Sequence, residues 1–306
     1  MNYSFNKLTV DSAEVINQYA SLRPILTSEG QFMNQFIWAG FYNTEYYHDD
    51  KCLFFKMNIS NEIATMMPYC KEEDIIESFF KVKDYFNTVL NQPLKMYIVD
   101  DLFLNTLKTS ERFLEEFDVT EERDCFDYIY DADKLKTLSG KAYHKKKNHL
   151  NSFLKEYAGR FEYRTLCCSY IDEIKAFHNE WLESRNVTER LDSIEGEEDG
   201  VLRIFENCSL LDCKMGGVFV DGKLEAYSIG SYTPHMECAF IHVEKGSLHM
   251  KGIYNYINQQ FLIHEFPDAK LVNREDDLGQ EGLRKAKLSY RPIKLEAKYN
   301  LIEKRY

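Results

Sequence analysis

Three things are scarce or missing in this sequence, and each removes a class of protein. No apolar run approaches the roughly 20 residues that a membrane-spanning helix needs, so the chain is not expected to cross a bilayer. Its eight cysteines contain no CxxC pair and no zinc-like spacing, and no signal peptide precedes them. They are therefore expected to be reduced core thiols of a cytoplasmic protein that holds no metal. Positive charge is also short, with 38 bases against 50 acids and a formal net charge of -12. That balance argues against broad adhesion to nucleic acid or anionic lipid, so any polyanion must meet a local patch. The six prolines are scattered, and no heptad or low-complexity block is present.

What is present is an apolar fraction of 44%, enough for ordinary packed cores, and 21 Tyr and 21 Phe against two Trp. Such an aromatic excess fills cores first and lines clefts second. At 306 residues the chain exceeds the usual single-domain size, which favours two domains.

The pattern along the chain supports that division. KCLFFKMN (51–58) and EIATMMPYC (62–70) read as paired strands, KEEDIIESFFKVKDYFNTVL as a helix, and LKMYIVDDLF and DCFDYIYD as further strands. The second half runs in a similar order. FEYRTLCC is a strand, IDEIKAFHNEWLESR and EEDGVLRIFENCSLL are helices, and CKMGGVFVDGKLEAYSIGSY is a hairpin turned at Asp221-Gly222. MECAFIHVEKG is a strand, KGIYNYINQQFLIHEF a helix, KLVNRED a strand, and a last helix precedes IKLEAKYNLI. Two mixed α/β units in series follow, 1–133 and 134–306, with the break near residue 133.

Three stretches stand out chemically. In VNREDDLGQEGLRKAKLSYRP (272–292), acids at 275, 276, 277 and 281 precede bases at 284, 285 and 287. Asp277 and Gln280 have the spacing of a capping box, and the charge order suits a helix dipole. Asn273, Arg274 and Glu275 fall where a buried strand runs out into a loop, the usual mouth of an open sheet. Asn273, Arg274, Asp276 and Arg284 are candidate cleft residues, Glu275 a candidate base, and Tyr290 a candidate acid on a stripe with Leu283 and Ala286.

The second stretch is GKAYHKKKNHLNSF (140–153). From Lys134 to Lys155 there are seven lysines and no acid. A solvated helix face accounts for such a run, yet the adjacent Lys145, Lys146 and Lys147, with Asn148, would gain most from a bound polyanion. A tRNA or an anionic lipid headgroup is the partner expected along 141–149. In the third stretch, AFIHVEKGSLHMKGIYNYINQQF (239–261), a strand delivers Glu244 at its end, and a helix begins near Gly252, where exposed amides can take a phosphate.

YHKKKNHLNSF, HVEKG and NREDDLGQEGLRKAKLSYRP together resemble the C-terminal domain of phosphatidylglycerol lysyltransferases, the DUF2156 group. The resemblance implies two tandem GNAT-like acyltransferase domains, the first degenerate, similar to the Fem-type enzymes that move amino acids from aminoacyl-tRNA. It makes Glu244 a strand-end base and Tyr290 a proton donor to the leaving group. It also brings Gly252 and Tyr254 to the donor's phosphates, although Tyr254 stands where a small residue would let phosphate approach the backbone. The expected activity is transfer of an activated amino acid from aminoacyl-tRNA to a lipid or small acceptor, reached from the cytoplasm at the inner membrane face. Two alternatives are an acetyl-CoA-dependent N-acetyltransferase and an inactive tandem module that binds RNA or anionic headgroups.

Overall fold

Ser60 and Asn61 take φ angles of 53° and 64°, and Asp221 and Gly222 take 51° and 81°. Both pairs turn a hairpin of the kind that needs two positive φ values in succession, and each hairpin sits in a different sheet. The computed structural model describes residues 3–184 and 192–304, which divide into two units.

The first unit takes the chain up to residue 127, then 276–279, then 296 onward. Its strands are β1 (Asn6–Lys7), β2 (Glu45–His48), β3 (Cys52–Ile59), β4 (Glu62–Met66), β5 (Tyr69–Cys70), β6 (Lys95–Asp100), β7 (Phe117–Glu121) and β15 (Lys298–Glu303). They form an eight-stranded sheet in the order β1-β2-β3-β4-β6-β15-β7, with β5 paired to β3. Helix α3 (Ile75–Thr88) buries Ile75, Phe79, Val82 and Phe86. The Phe79 ring meets Phe113 and Phe117 edge-on, with centroids 5.5 and 4.9 Å apart. Much of the aromatic excess is spent in this way on the core.

The same unit buries a polar group. Lys298, fully enclosed, reaches Asp127 at 2.8 Å and Glu29 at 2.7 Å. One cation faces two carboxylates in low dielectric. Burial, opposed by Lys298 and reinforced by Asp127, pushes the Glu29 carboxyl up to about 7.

The second unit covers 128–275 and 280–295. Its sheet has seven strands: β8 (Asp127–Asp131), β9 (Phe161–Leu166), β10 (Lys214–Val220), β11 (Lys223–Thr233), β12 (Cys238–Gly246), β13 (Leu271–Asn273) and β14 (Lys294–Glu296). Their order is β14-β8-β13-β12-β11-β10-β9. One face packs on α6 (Ala132–Thr137), α7 (His144–Glu156) and α10 (Ile253–Glu265) through Tyr130, Leu135, Phe153, Ile241, Ile257 and Phe261. Helix α8 (Ile171–Ser184) turns Ile171, Ile174, Phe177 and Trp181 inward at the expected spacing. Helices α9 (Asp192–Glu206) and α11 (Glu281–Leu288) complete the unit.

Several expectations need correction. The chain crosses from the first unit at Asp127/Tyr128 rather than near 133, returns for 276–279, and returns finally at Glu296, so the domains are not simply 1–133 and 134–306. IKLEAKYNLI, given no element above, serves both sheets. Its start pairs in the second sheet as β14, and from Lys298 it pairs in the first as β15. Cys168 and Cys208 form a disulfide, 40 residues apart in sequence, so not all the cysteines are reduced core thiols. Asp277 does not cap α11. It is fully buried, lies 3.5 Å from Arg123, and accepts the Gly279 N–H at 3.0 Å. Positive φ at Leu278 and Gly279 turns the chain before the helix, whose N-cap is Gln280.

Candidate active site

Strands β12 and β13 run parallel, with Cys238, Ala239 and Phe240 opposite Leu271, Val272 and Asn273. β13 stops at Asn273 while β12 continues to Gly246. The edge of β12 beyond Phe240 therefore loses its neighbour, and the side chain of Arg274 turns toward it. Arg274 Nη2 donates to Glu244 Oε1 at 2.8 Å, and Asn258 Nδ2 of α10 donates to Glu244 Oε2 at 3.2 Å. With both oxygens engaged, Glu244 holds Arg274 in place and is not an open base.

The guanidinium lies 5.0 Å from the centroid of the Tyr290 ring. Its Nη1 is buried and makes no well-formed hydrogen bond. Asn255 Nδ2 donates to the Tyr290 hydroxyl at 2.5 Å. Burial, partly opposed by the Arg274 charge, pushes the Tyr290 phenol up to about 12, so it stays protonated at neutral pH. From α7, Lys146 Nζ sits 3.9 Å over the same ring. Burial and the nearby Arg274 push its ammonium down to about 8. Arginine, lysine, tyrosine and asparagine thus present donors at the end of β13, a composition suited to an oxyanion or a phosphate.

A second polar row lies on the other face of the sheet. The pairing of β11 with β12 shifts register at Ile229/Gly230, opposite Val243 and Ile241, so His242 is an extra residue in β12. Ala239 and Ile241 belong to the core under α10, and Glu244 reaches Asn258 on that same side. His242 points away from it. Its Nε2 is 2.8 Å from Ser231 Oγ, and its Nδ1 is 2.8 Å from Glu275 Oε1. Glu275 has a φ of 55°, and its N–H donates to Asn273 Oδ1 at 2.6 Å. Lys287 Nζ donates to the carbonyls of Arg274 and Glu275 at 2.6 and 3.2 Å.

The candidate residues thus separate. Glu244, Arg274, Tyr290 and Lys146 come together, while Glu275 and Asn273 turn to the opposite face. Lys145, Lys147 and Asn148 are exposed on α7, and Arg284 is half-buried on α11. Asp276 groups with the first unit, where it accepts the Leu278 N–H at 3.2 Å. Leu283 and Ala286, expected to pack with Tyr290, are exposed; Tyr290 lies beyond the end of α11.

Gly252 has a φ of 89°, and a Cβ there would stand 2.2 Å from the His149 carbonyl oxygen, so the glycine lets α10 approach the α7 backbone. The amides of Ile253 and Asn255 are bonded to Met250 O and Gly252 O at 3.3 and 3.0 Å. The Tyr254 hydroxyl accepts from Trp181 Nε1 at 3.2 Å. The start of α10 is thereby occupied by the protein's own groups. Ser231, His242, Asn255 and Asn258 were not singled out from the sequence. Helical spacing along YNYINQQF offered some signal for the two asparagines, whereas nothing in the sequence marks the bulge at His242.

Among known proteins, the family model described as "Phosphatidylglycerol lysyltransferase, C-terminal" matches residues 22–302. The chain belongs to this family. It is a family of aminoacyltransferase domains. An uncharacterised protein of Mycoplasmoides gallisepticum is 27% identical over 166 residues, covering 54% of this chain and 52% of that protein. The chain thus spans about half the length of the curated relative it matches. A conserved protein of unknown function from Bacteroides thetaiotaomicron superposes with a TM-score of 0.90 at 28% identity, covering 99% of this chain and 100% of that one. L-PGS from Bacillus licheniformis gives 0.64 at 11% identity, with 96% and 92% covered. The expected fold is borne out by FemX (0.61, 8% identity, 97% and 96% covered) and by a tandem GNAT protein of clavulanic acid biosynthesis (0.50, 8%, 99% and 98%). Among the described residues no helix of this lysyltransferase-family chain is long and apolar enough to cross a membrane.

Proposed function

We propose that the second unit transfers an amino acid from aminoacyl-tRNA to the hydroxyl or amine of a lipid or small acceptor, on the sheet face that carries Arg274. The observation that carries this reading is the buried Arg274 guanidinium beside the Tyr290 hydroxyl, whose Nη1 makes no well-formed hydrogen bond. Such a group is costly unless something arrives to accept from it, and the oxygen of an ester carbonyl turning into an oxyanion is a fitting acceptor. When the acceptor nucleophile attacks, negative charge gathers on that oxygen beside Nη1. The carbon to 3′-oxygen bond then breaks as the Tyr290 hydroxyl protonates the departing oxygen, and the proton lost by the attacking hydroxyl or amine passes to the Tyr290 oxygen and restores the phenol.

Lys146 lies close enough to serve the donor's terminal phosphate, with Lys145 and Lys147 exposed further along α7. Glu244 and Asn255 act through Arg274 and Tyr290 and are positioning residues. The occupied start of α10 favours this donor over coenzyme A, whose pyrophosphate ordinarily uses free amides at a helix start.

The test is transfer of radiolabelled amino acids from a set of aminoacyl-tRNAs into phosphatidylglycerol vesicles or soluble amine acceptors. The paired change R274Q/E244Q, which removes both charges together, is expected to keep the fold and cut transfer by about 100-fold or more. Transfer by this variant at the wild-type rate would remove Arg274 from the reaction. A thermal shift with coenzyme A, together with acetyl transfer to amines and none from aminoacyl-tRNA, would replace this reading by an N-acetyltransferase.

A further inference from the structure

Ser231 Oγ, the His242 ring and the Glu275 carboxylate stand in line, with both links at 2.8 Å. We infer that these residues form a nucleophilic serine site on the sheet face opposite Arg274, with Ser231 as the acyl acceptor and carboxylic or aminoacyl esters as the substrate class. This inference does not rest on aminoacyl transfer at the Arg274 face.

Three features support it beyond the two distances. The first is the bulge. Alternation sets His242 on the face of Phe240, the residue paired with Ser231; the extra residue then returns Glu244 to the face of Ile241, so that histidine and glutamate part to opposite sides of the sheet. Bulges of this kind re-aim side chains next to reactive centres.

The second is backbone strain. Glu275 is a non-glycine residue at a φ of 55°, held there by Asn273 and by Lys287 donating to its carbonyl and to that of Arg274. Strain of that sort persists only where surrounding structure enforces it, and it gathers at functional sites.

The third is burial. Ser231 and His242 are 9% and 8% exposed, and the Glu275 side chain 21%. The hydroxyl and the imidazole are thus both shielded from bulk water, beside a more open carboxylate. In the tautomer whose Nδ1–H donates to the Glu275 carboxylate, Nε2 is left as the acceptor for the serine proton. This is the order of roles that a hydroxyl nucleophile needs.

The chemistry balances without a co-reactant other than ester and water. Ser231 Oγ bonds to the ester carbon as its proton passes to His242 Nε2. The carbon to alkoxide-oxygen bond breaks, and the same proton leaves with the alcohol. Water then attacks the acyl-serine, gives one proton to Nε2, and releases the carboxylic acid as that proton returns to Ser231. An acceptor alcohol or amine in place of water would turn hydrolysis into transfer.

The probes are a fluorophosphonate and p-nitrophenyl acetate, applied to the whole chain without tRNA or lipid. Expected are covalent phosphonylation mapped by mass spectrometry to Ser231 and a burst of p-nitrophenolate near one equivalent. Ser231→Ala should lose both. His242→Gln should slow labelling by at least about 100-fold. Glu275→Gln tests the positioning role, and a labelling rate lowered at an unchanged melting temperature separates orientation of His242 from mere support of the fold. Should Ser231→Ala or His242→Gln fail to fold, Ser231→Cys keeps the shape of the site. It is expected to lose phosphonylation and to gain acetylation at the thiol. A folded wild type that takes no label, or label retained at another residue in Ser231→Ala, would reduce the row to an internal hydrogen-bond network and overturn the inference.

Discussion

Arg274 and Glu244 meet at 2.8 Å, with 13% and 9% of their side chains exposed. A pair this enclosed adds little net stability, because desolvation offsets the attraction, but losing one member leaves the other charged and uncompensated. Glu244→Gln alone is therefore expected to destabilise the protein by roughly 3 kcal/mol or more. The paired change R274Q/E244Q should recover much of that loss. Urea midpoints for the three proteins check the ordering, and equal midpoints for single and double variants would contradict it.

The lowered Lys146 ammonium has a pH signature. Its folded value of about 8 lies below the ordinary 10.5, so between these values the unfolded chain holds a proton that the folded chain has released. Stability from this group thus rises as pH climbs from about 8 toward 10.5 and is flat below. Against Lys146→Met, in which this titration is absent, the wild-type melting temperature should gain between pH 7.5 and 10. Lys146 should also be acylated faster by a limiting amine reagent than Lys145 or Lys147, as read by mass spectrometry.

In the first unit the sign reverses. The Glu29 carboxyl is raised from 4.5 to about 7 by burial beside Asp127, against the pull of Lys298. Between those values the folded state holds the extra proton, so its contribution to stability is full below about 4.5 and is lost as pH rises through 7. Glu29→Gln should therefore lose less stability than wild type between pH 5 and 7.5, in denaturant midpoints at each pH. An identical pH dependence for the two would mean that Glu29 is ionised throughout.

Much of the local structure was legible in the residues. The Asp221-Gly222 turn and the inward stripe of Ile171, Ile174, Phe177 and Trp181 follow from short-range chemistry, and the structure has both. The strand β7, the passage of 276–279 into the first unit and the division of β14 from β15 were not legible, because each depends on a partner far away in sequence. The site divides in the same way. The strand end and the lysine run brought Glu244, Arg274, Tyr290 and Lys146 into view. The register shift at His242 left no mark, since one extra residue changes which way side chains point without changing composition. Asp277 shows the opposite error: a sound local cap pattern is overruled by burial against Arg123.

The slot between β6 and β7 is filled by β15, which lies some 180 residues downstream of β7 in the sequence. A nascent chain must therefore carry an unfinished N-terminal sheet, open at β6 and parted from β7, until nearly all of the second unit has left the ribosome. The two halves are bound by order of synthesis as well as by sequence: a gene cut between them would yield an N-terminal piece with an unpaired β6 edge, prone to stick to its own copies.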